Sequence, residues 1–264
     1  MNSVLVRAAV WVLVAMTAFG CWGAPRPTTP LASLHYPSAK SSRATAVLFM
    51  PGRRSRGDDF ESNGFIKAVQ ELGLDVELVA VDAHLGYYLD GGYRLLPTRI
   101  HEDVVRPLMA HGRRRIWLVG TSLGAFGSLA YAKQFPEAVA GVVLFGPYLG
   151  EEPIMAAIER AGGLAAWSPI GSAGYDYEIR TWSWLKGFGD PGTQRPFDLY
   201  LAYGQHDSYL RTSKILADVL PRDHVIVDEE GGHDWDTWLA LWKRFLACCG
   251  RQLVTPAGQG AIFR

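Results

Sequence analysis

The sequence has little of what most alternative folds and chemistries require. Its 264 residues contain only three cysteines, Cys21, Cys248 and Cys249. The last two are adjacent, where a bridge is strained, so no disulfide framework is expected and stability must come from burial. An excess of one charge is also missing: 26 Lys and Arg stand against 26 Asp and Glu. No broad basic face is therefore expected to drive nucleic-acid binding by counterion release, and nucleic acid is excluded as a partner. There is no His-Glu-x-x-His, no paired-cysteine zinc pattern and no Gly-rich phosphate loop of the Walker kind, so neither a metal nor a cofactor is expected. What is present is a chain 48% hydrophobic and 12% aromatic, suited to a globular core rather than to disorder.

The run from Ala8 to Phe19 follows Arg7. At about a dozen residues it is too short for the roughly 18 to 20 that span a bilayer, and it suits the apolar part of a secretory signal. Residues 1–20 are therefore read as a signal peptide. Its end, Thr17-Ala18-Phe19-Gly20-Cys21, resembles a bacterial lipoprotein signal, in which a small residue precedes a Cys that becomes the lipidated first residue. Ala18 stands where Leu is usual, and Phe19 is bulky for its place. Cys21 is thus a lipidation candidate, with an ordinary signal-peptidase cut near Ala24 as the alternative. Either implies export to a bacterial cell envelope or periplasm, with a lipid anchor as the sole contact with membrane.

Residues 21–43 carry Pro25, Pro27, Pro30, Pro37 and a small polar cluster from Ser38 to Ser42, a composition of extended tether. Residues 251–264, with Pro256, Gly258 and Gly260, read as a loose tail. One domain remains, residues 44–250. Within it six β-rich runs recur: 46–50, 76–81, 116–119, 139–145, 199–203 and 224–227. Most are continuously apolar, as strands buried on both faces are. Helical periods lie between them, at Phe60 to Leu72, Leu123 to Phe135, Tyr209 to Leu220 and Trp235 to Cys248. The alternation predicts an α/β fold: a mostly parallel, doubly wound sheet with helices on both faces. Residues 150–196 interrupt it with one amphipathic helix at about Glu152 to Ala161 and with Trp167, Tyr175, Tyr177, Trp182, Trp184 and Phe188. They read as a cap-like insertion over the carboxyl edge of the sheet, where such folds bind ligands; the alternative is that the aromatics merely pack the insertion onto the body.

The chemistry gathers at three places. The strand 116–119 runs into Gly120-Thr121-Ser122-Leu123-Gly124 and then a helix of small residues. This G-x-S-x-G context demands a turn so sharp that Ser122 is strained and projects above the sheet, while Gly120 and Gly124 remove the side chains that would collide. A neutral serine is a poor nucleophile and needs a base, and that base needs an orienting group. Asp207 follows the strand 199–203, and His233 follows the last strand across Gly231-Gly232. Each sits just beyond a strand, in the order Ser, Asp, His. His233 is expected to take the Ser122 proton and Asp207 to hold the ring. His84, His101, His111, His206 and His224, and Asp190, Asp228 and Asp234, are weaker candidates; Asp234 suits a cap of the final helix. The oxyanion hole is expected from the backbone N–H of Leu123 and from Gly52 or Arg53, in the loop that also carries Arg54 and Arg56. Those arginines are candidates for attracting an anionic substrate, or are simply solvated.

These residues resemble the α/β-hydrolase superfamily over nearly the whole body. The segment Gly231-Gly232-His233-Asp234-Trp235-Asp236-Thr237-Trp238 further resembles the esterase D-like serine esterases. The resemblance implies hydrolysis of a small-molecule carboxylic ester, with short to medium acyl chains, through an acyl-enzyme. Acyltransferase and thioesterase activity, and a non-catalytic envelope binding protein, are the alternatives on the same fold. Gly86-Tyr87-Tyr88-Leu89 is a candidate wall of an acyl pocket.

Overall fold

Each of the six apolar runs forms a strand in the computed structural model, which describes residues 25–38, 44–89, 94–169, 176–190, 192–193 and 195–254. The signal segment, Cys21, Tyr175 and residues 255–264 of the tail lie outside the described residues. The strands are β1 (Ser33–Tyr36), β2 (Thr45–Met50), β3 (Val76–Val81), β4 (Arg115–Thr121), β5 (Val139–Phe145), β6 (Asp198–Gly204) and β7 (Val225–Asp228). They make one sheet in the order β1-β3-β2-β4-β5-β6-β7. Neighbours from β3 to β7 run parallel. Strands β2 and β3 are buried along their whole length, and alternate residues of β2 serve separate cores. Ala46, Leu48 and Met50 face one side, Val47 and Phe49 the other, as the two-residue period of a strand requires.

The expected tether needs correcting, because residues 25–38 pack on the body. Strand β1 pairs antiparallel with β3, from Ser33 opposite Val81 to Tyr36 opposite Leu78. Leu31 is buried, and its N–H donates to Asp103 Oδ2 at 2.7 Å. Thr28 is tied to Tyr87, whose hydroxyl donates to the Thr28 carbonyl at 2.9 Å and accepts its N–H at 3.0 Å. Every one of these partners is distant in sequence, so no local period announces the strand. The expected tail also begins later than residue 251, since Gly250–Leu253 form a 3₁₀ turn that buries Leu253.

Two further expectations change. The helix expected over Phe60 to Leu72 is two, Asp59–Ser62 and Phe65–Glu71, parted by Gly64 in the left-handed region at φ +82°. Phe60, Phe65, Ile66 and Val69 are buried as the period implies, but Leu72 is 53% exposed. The sulfurs of Cys248 and Cys249 are bonded to each other. A link between neighbours closes no chain loop, so it adds no long-range constraint and burial still carries the stability.

The other helices behave as their composition dictates. Leu123–Gln134 is buried from Leu123 to Ala132, which its small and apolar residues permit on every side. The final helix, Trp235–Cys249, is fixed by an aromatic cluster in which Trp242 stacks on Phe65 at 6.0 Å and meets Phe49 edge-on at 6.0 Å. Such pairs contribute about 0.5–1.5 kcal/mol each beyond burial. Trp242 also donates its indole N–H to the Phe65 carbonyl at 3.2 Å. The insertion contributes helices Glu152–Arg160 and Asp176–Lys186, the second unforeseen. Among the described residues no helix is long and apolar enough to cross a membrane.

Candidate active site

Parallel strands bring their carboxyl ends to one edge, so the loops after β2, β4, β5, β6 and β7 converge there. Ser122, at the end of β4, has φ +52° and is the one described residue other than glycine with positive φ. A bulky residue does not adopt this conformation without cost, and it is held here from several sides. Ser122 N–H donates to the Phe145 carbonyl at 2.9 Å, and the Ser122 carbonyl accepts from Ala125 at 3.1 Å and Tyr148 at 3.2 Å. The flanking glycines are obligatory for contact. A Cβ on Gly124 would sit 2.0 Å from the Met50 carbonyl oxygen, and one on Gly120 would sit 2.5 Å from that of Gly124. Helix and strand therefore touch backbone to backbone.

The base arrives from the opposite end of the chain. His233 Nε2 lies 3.0 Å from Ser122 Oγ, and His233 Nδ1 lies 2.9 and 3.0 Å from the two oxygens of Asp207. The Asp207 side chain is fully buried and His233 is 20% exposed. Asp207 Oδ1 also accepts the Tyr209 N–H at 2.7 Å, which anchors the carboxylate in one orientation. The ring of His233 is held edge-on between Tyr209 and Trp238, each 4.9 Å away. Its loop is fastened by Gly232 N–H to Thr237 Oγ1 at 2.9 Å. With an accepting nitrogen facing a hydroxyl and a carboxylate behind the ring, the arrangement can remove a proton from Ser122 and stabilise the imidazolium that results.

Gly146, whose bare Cα faces the Asp207 carboxylate, escaped the sequence reading as part of this site, as did Tyr209 and Trp238. The signal for Gly146 was a Gly-Pro pair directly after the buried run of β5, a turn at the same sheet edge. Trp238 ends the segment that carries the resemblance and Tyr209 opens a helical period, but neither position marks a contact with His233, which they meet only once the strands are in register.

The candidate oxyanion residues are also assembled. Gly52 backs onto the serine, where an added Cβ would lie 3.3 Å from Ser122 Cβ. Arg53, Ser122 and Leu123 line one cavity of about 600 Å³. Leu85, Tyr88 and Leu89 form an apolar wall, and Gly150, Glu151, Glu152 and Met155 come from the insertion. Burial pushes the Tyr88 phenol well above its ordinary range, so it stays neutral. The aromatics of the insertion that are described do not line this cavity. Trp182, for example, is fully buried and donates to the Leu149 carbonyl at 2.9 Å, so these rings pack the insertion onto the body.

Other candidates are engaged elsewhere. His101 stacks on Phe135 at 4.0 Å and His224 on Tyr200 at 4.2 Å, while His84 lies tilted against Tyr87 at 4.7 Å. His111 bonds the Pro107 carbonyl, and His206 is exposed. Asp190 accepts from Gly192 and Thr193, which lowers its pKa from the ordinary carboxylate value. Asp228 accepts from Glu230, and Asp234 caps the final helix through the Thr237 N–H at 2.9 Å. Among the described residues no three His, Cys, Asp or Glu side chains gather where they would hold a metal ion.

A family model described as the alpha/beta hydrolase fold matches residues 96–182. Among solved structures, the chain is similar to a ferulic acid esterase at 13% identity, covering 88% of this chain and 96% of that one with a TM-score of 0.61. It is similar to an S-formylglutathione hydrolase from Agrobacterium tumefaciens at 16% identity, covering 88% and 94% with a TM-score of 0.61. A substrate-bound, fluorophosphonate-binding serine hydrolase from Staphylococcus aureus shares 14% identity over 86% of this chain and 100% of that one, with a TM-score of 0.56. No curated protein matches the sequence. The chain has the α/β-hydrolase fold, a mostly parallel sheet with a cap-like insertion, as its motifs implied.

Proposed function

We propose that the protein is a serine carboxylesterase that cleaves small-molecule esters of short to medium acyl chains through an acyl-enzyme. The observation that carries this reading is the unbroken contact from Ser122 Oγ to His233 to the buried Asp207, opening on a cavity of about 600 Å³. Ser122 Oγ attacks the ester carbonyl carbon as His233 Nε2 takes its proton. The oxyanion is met by the Leu123 N–H and by an N–H from Gly52 or Arg53. The carbon–oxygen bond to the alcohol breaks, and His233 returns the proton to that oxygen. Water, deprotonated by the same ring, then attacks the acyl group and releases the acid and free Ser122. Esterases and a serine hydrolase among the structurally similar proteins support the reading. An S-formylglutathione hydrolase among them keeps thioesters in view as a second acyl donor for the same residues.

The same proposal puts the mature chain in a bacterial envelope or periplasm, either anchored by a lipid on Cys21 or released as a soluble protein by a cut near Ala24. Labelling with a fluorophosphonate probe tests the chemistry: the protein should label and Ser122→Ala should not. Labelling of both alike, or of neither, sinks the reading. Palmitate incorporation that disappears in Cys21→Ser tests the anchor separately.

A further inference from the structure

The three arginines after β2 look alike in sequence, and the fold sends them to different tasks. Arg56 is tied to Asp82, Nη2 to Oδ2 at 2.8 Å. Arg54 is exposed and does not line the cavity. Arg53 is exposed and lines the cavity beside Ser122. Among the described residues no carboxylate pairs with it.

The other cation of the cavity wall is already matched, while Glu151 has a neutral hydroxyl as its partner. Arg211 bonds both Glu152 and Glu159, Nε reaching Glu159 Oε1 at 2.6 Å. Glu151 accepts the Tyr148 hydroxyl at 2.7 Å. Arg53 is thus the cation of the cavity wall that lacks a counter-charge. It is rooted one residue from Gly52, whose backbone packs on the nucleophile. Its guanidinium is a rigid fork of donors that fits a carboxylate with two parallel bonds.

We infer that Arg53 is a specificity-determining residue, and that the preferred substrate is an ester carrying a carboxylate within one side-chain length of the scissile carbonyl. The inference rests on the serine-esterase reading. The apolar wall of Leu85, Tyr88 and Leu89 receives the uncharged part of the substrate, and Arg53 supplies the missing charge match to the other. The carboxylate sits on either the acyl or the alcohol half, and the two arms of the test separate these.

The test compares kcat/KM for matched pairs of esters. Mono-4-nitrophenyl glutarate against 4-nitrophenyl pentanoate places the charge on the acyl side. 4-Acetoxybenzoate against its methyl ester places it on the leaving group. In at least one arm the wild-type protein should favour the anionic ester by about tenfold, the size of a charge-assisted contact weakened by solvent. In Arg53→Gln that ratio should fall to about one, and Arg53→Glu should invert it, while Arg53→Lys retains part. The ratio is read because any shared loss from disturbing the loop cancels. No preference in the wild type in either arm, or a ratio unmoved in Arg53→Gln, overturns the inference while ester turnover upholds the reading beneath it. If none of the four esters is turned over, that reading fails instead. Calorimetry then decides for Arg53: the Ser122→Ala variant should bind the anilide of glutaric acid more tightly than that of pentanoic acid, and Arg53→Gln added to it should abolish the difference. The same variants with 4-acetamidobenzoate and its methyl ester cover the leaving-group side, and equal binding within both pairs overturns the inference.

Discussion

Gly146 faces Asp207 so closely that a Cβ on it would lie 2.3 Å from Asp207 Oδ2, and 3.1 Å from His233 Nδ1. Gly146 also has φ +47°, a conformation that disfavours any side chain. Gly146→Ala is therefore expected to push the carboxylate off the imidazole. A displacement on the order of 1 Å costs roughly a hundredfold in rate, and the backbone strain adds about 1–2 kcal/mol of destabilisation. Ester turnover and thermal melting of the same variant check both; normal turnover would mean that Asp207 does not orient the ring.

The pair His233 and Asp207 predicts its own electrostatics. Asp207→Asn keeps the size of the side chain but removes the charge that stabilises the imidazolium. Its amide also donates to Nδ1, which forces the proton onto Nε2, where it blocks acceptance from Ser122. A drop in kcat of about 10⁴ is expected, with folding unchanged by circular dichroism. Because the groups act as a unit, Ser122→Ala combined with His233→Ala should lose no more than the worse single variant. Additive losses would separate the two residues.

One phenol holds the strap of residues 25–31 at Thr28, as Asp103 does at Leu31. Tyr87, 1% exposed, bonds both the carbonyl and the N–H of Thr28. Tyr87→Phe leaves those groups without that partner and is expected to cost about 1–2 kcal/mol, at roughly 2–4 °C in Tm for each. Since Tyr88 next to it lines the cavity, KM should rise while labelling of Ser122 persists. Differential scanning calorimetry and ester kinetics measure the two effects; an unchanged Tm would mean that the strap carries no stability.

How much of this was legible in the sequence depends on how local each cause is. Buried runs such as Val139 to Phe145 announce themselves as strands, because burial on both faces leaves no polar residues to confuse the period. Ser122 was legible because G-x-S-x-G after a strand is a local steric requirement, met by Gly120 and Gly124 against Met50. Strand β1 was not, because Ser33–Tyr36 is held by β3, more than forty residues away. The same holds for Gly146, whose need for a bare Cα is set by Asp207, in the loop after β6. The break at Gly64 was locally available, since a glycine inside a helical period is a signal of a possible stop. The aromatic insertion stayed open between two readings for a general reason: large rings mark burial, and burial inside the cap resembles burial against a ligand.

Asp207 lies against His233 in space and Asp234 follows it in sequence, and the structure assigns them different work. Asp234 is exposed and extended, φ −147° and ψ 167°, and its carboxylate accepts the Thr237 N–H that opens the final helix. Asp234→Ala should therefore cost about 1 kcal/mol through the lost cap, and it should leave kcat within a few-fold and fluorophosphonate labelling intact. Asp234→Asn keeps an accepting oxygen at the cap position and should restore the melting temperature. The contrast with Asp207→Asn, which should melt normally and fail in turnover, makes the assignment decisive. If Asp234→Ala instead abolished labelling while melting like the wild type, Asp234 would be the orienting carboxylate and the contact of Asp207 with His233 Nδ1 would be structural alone.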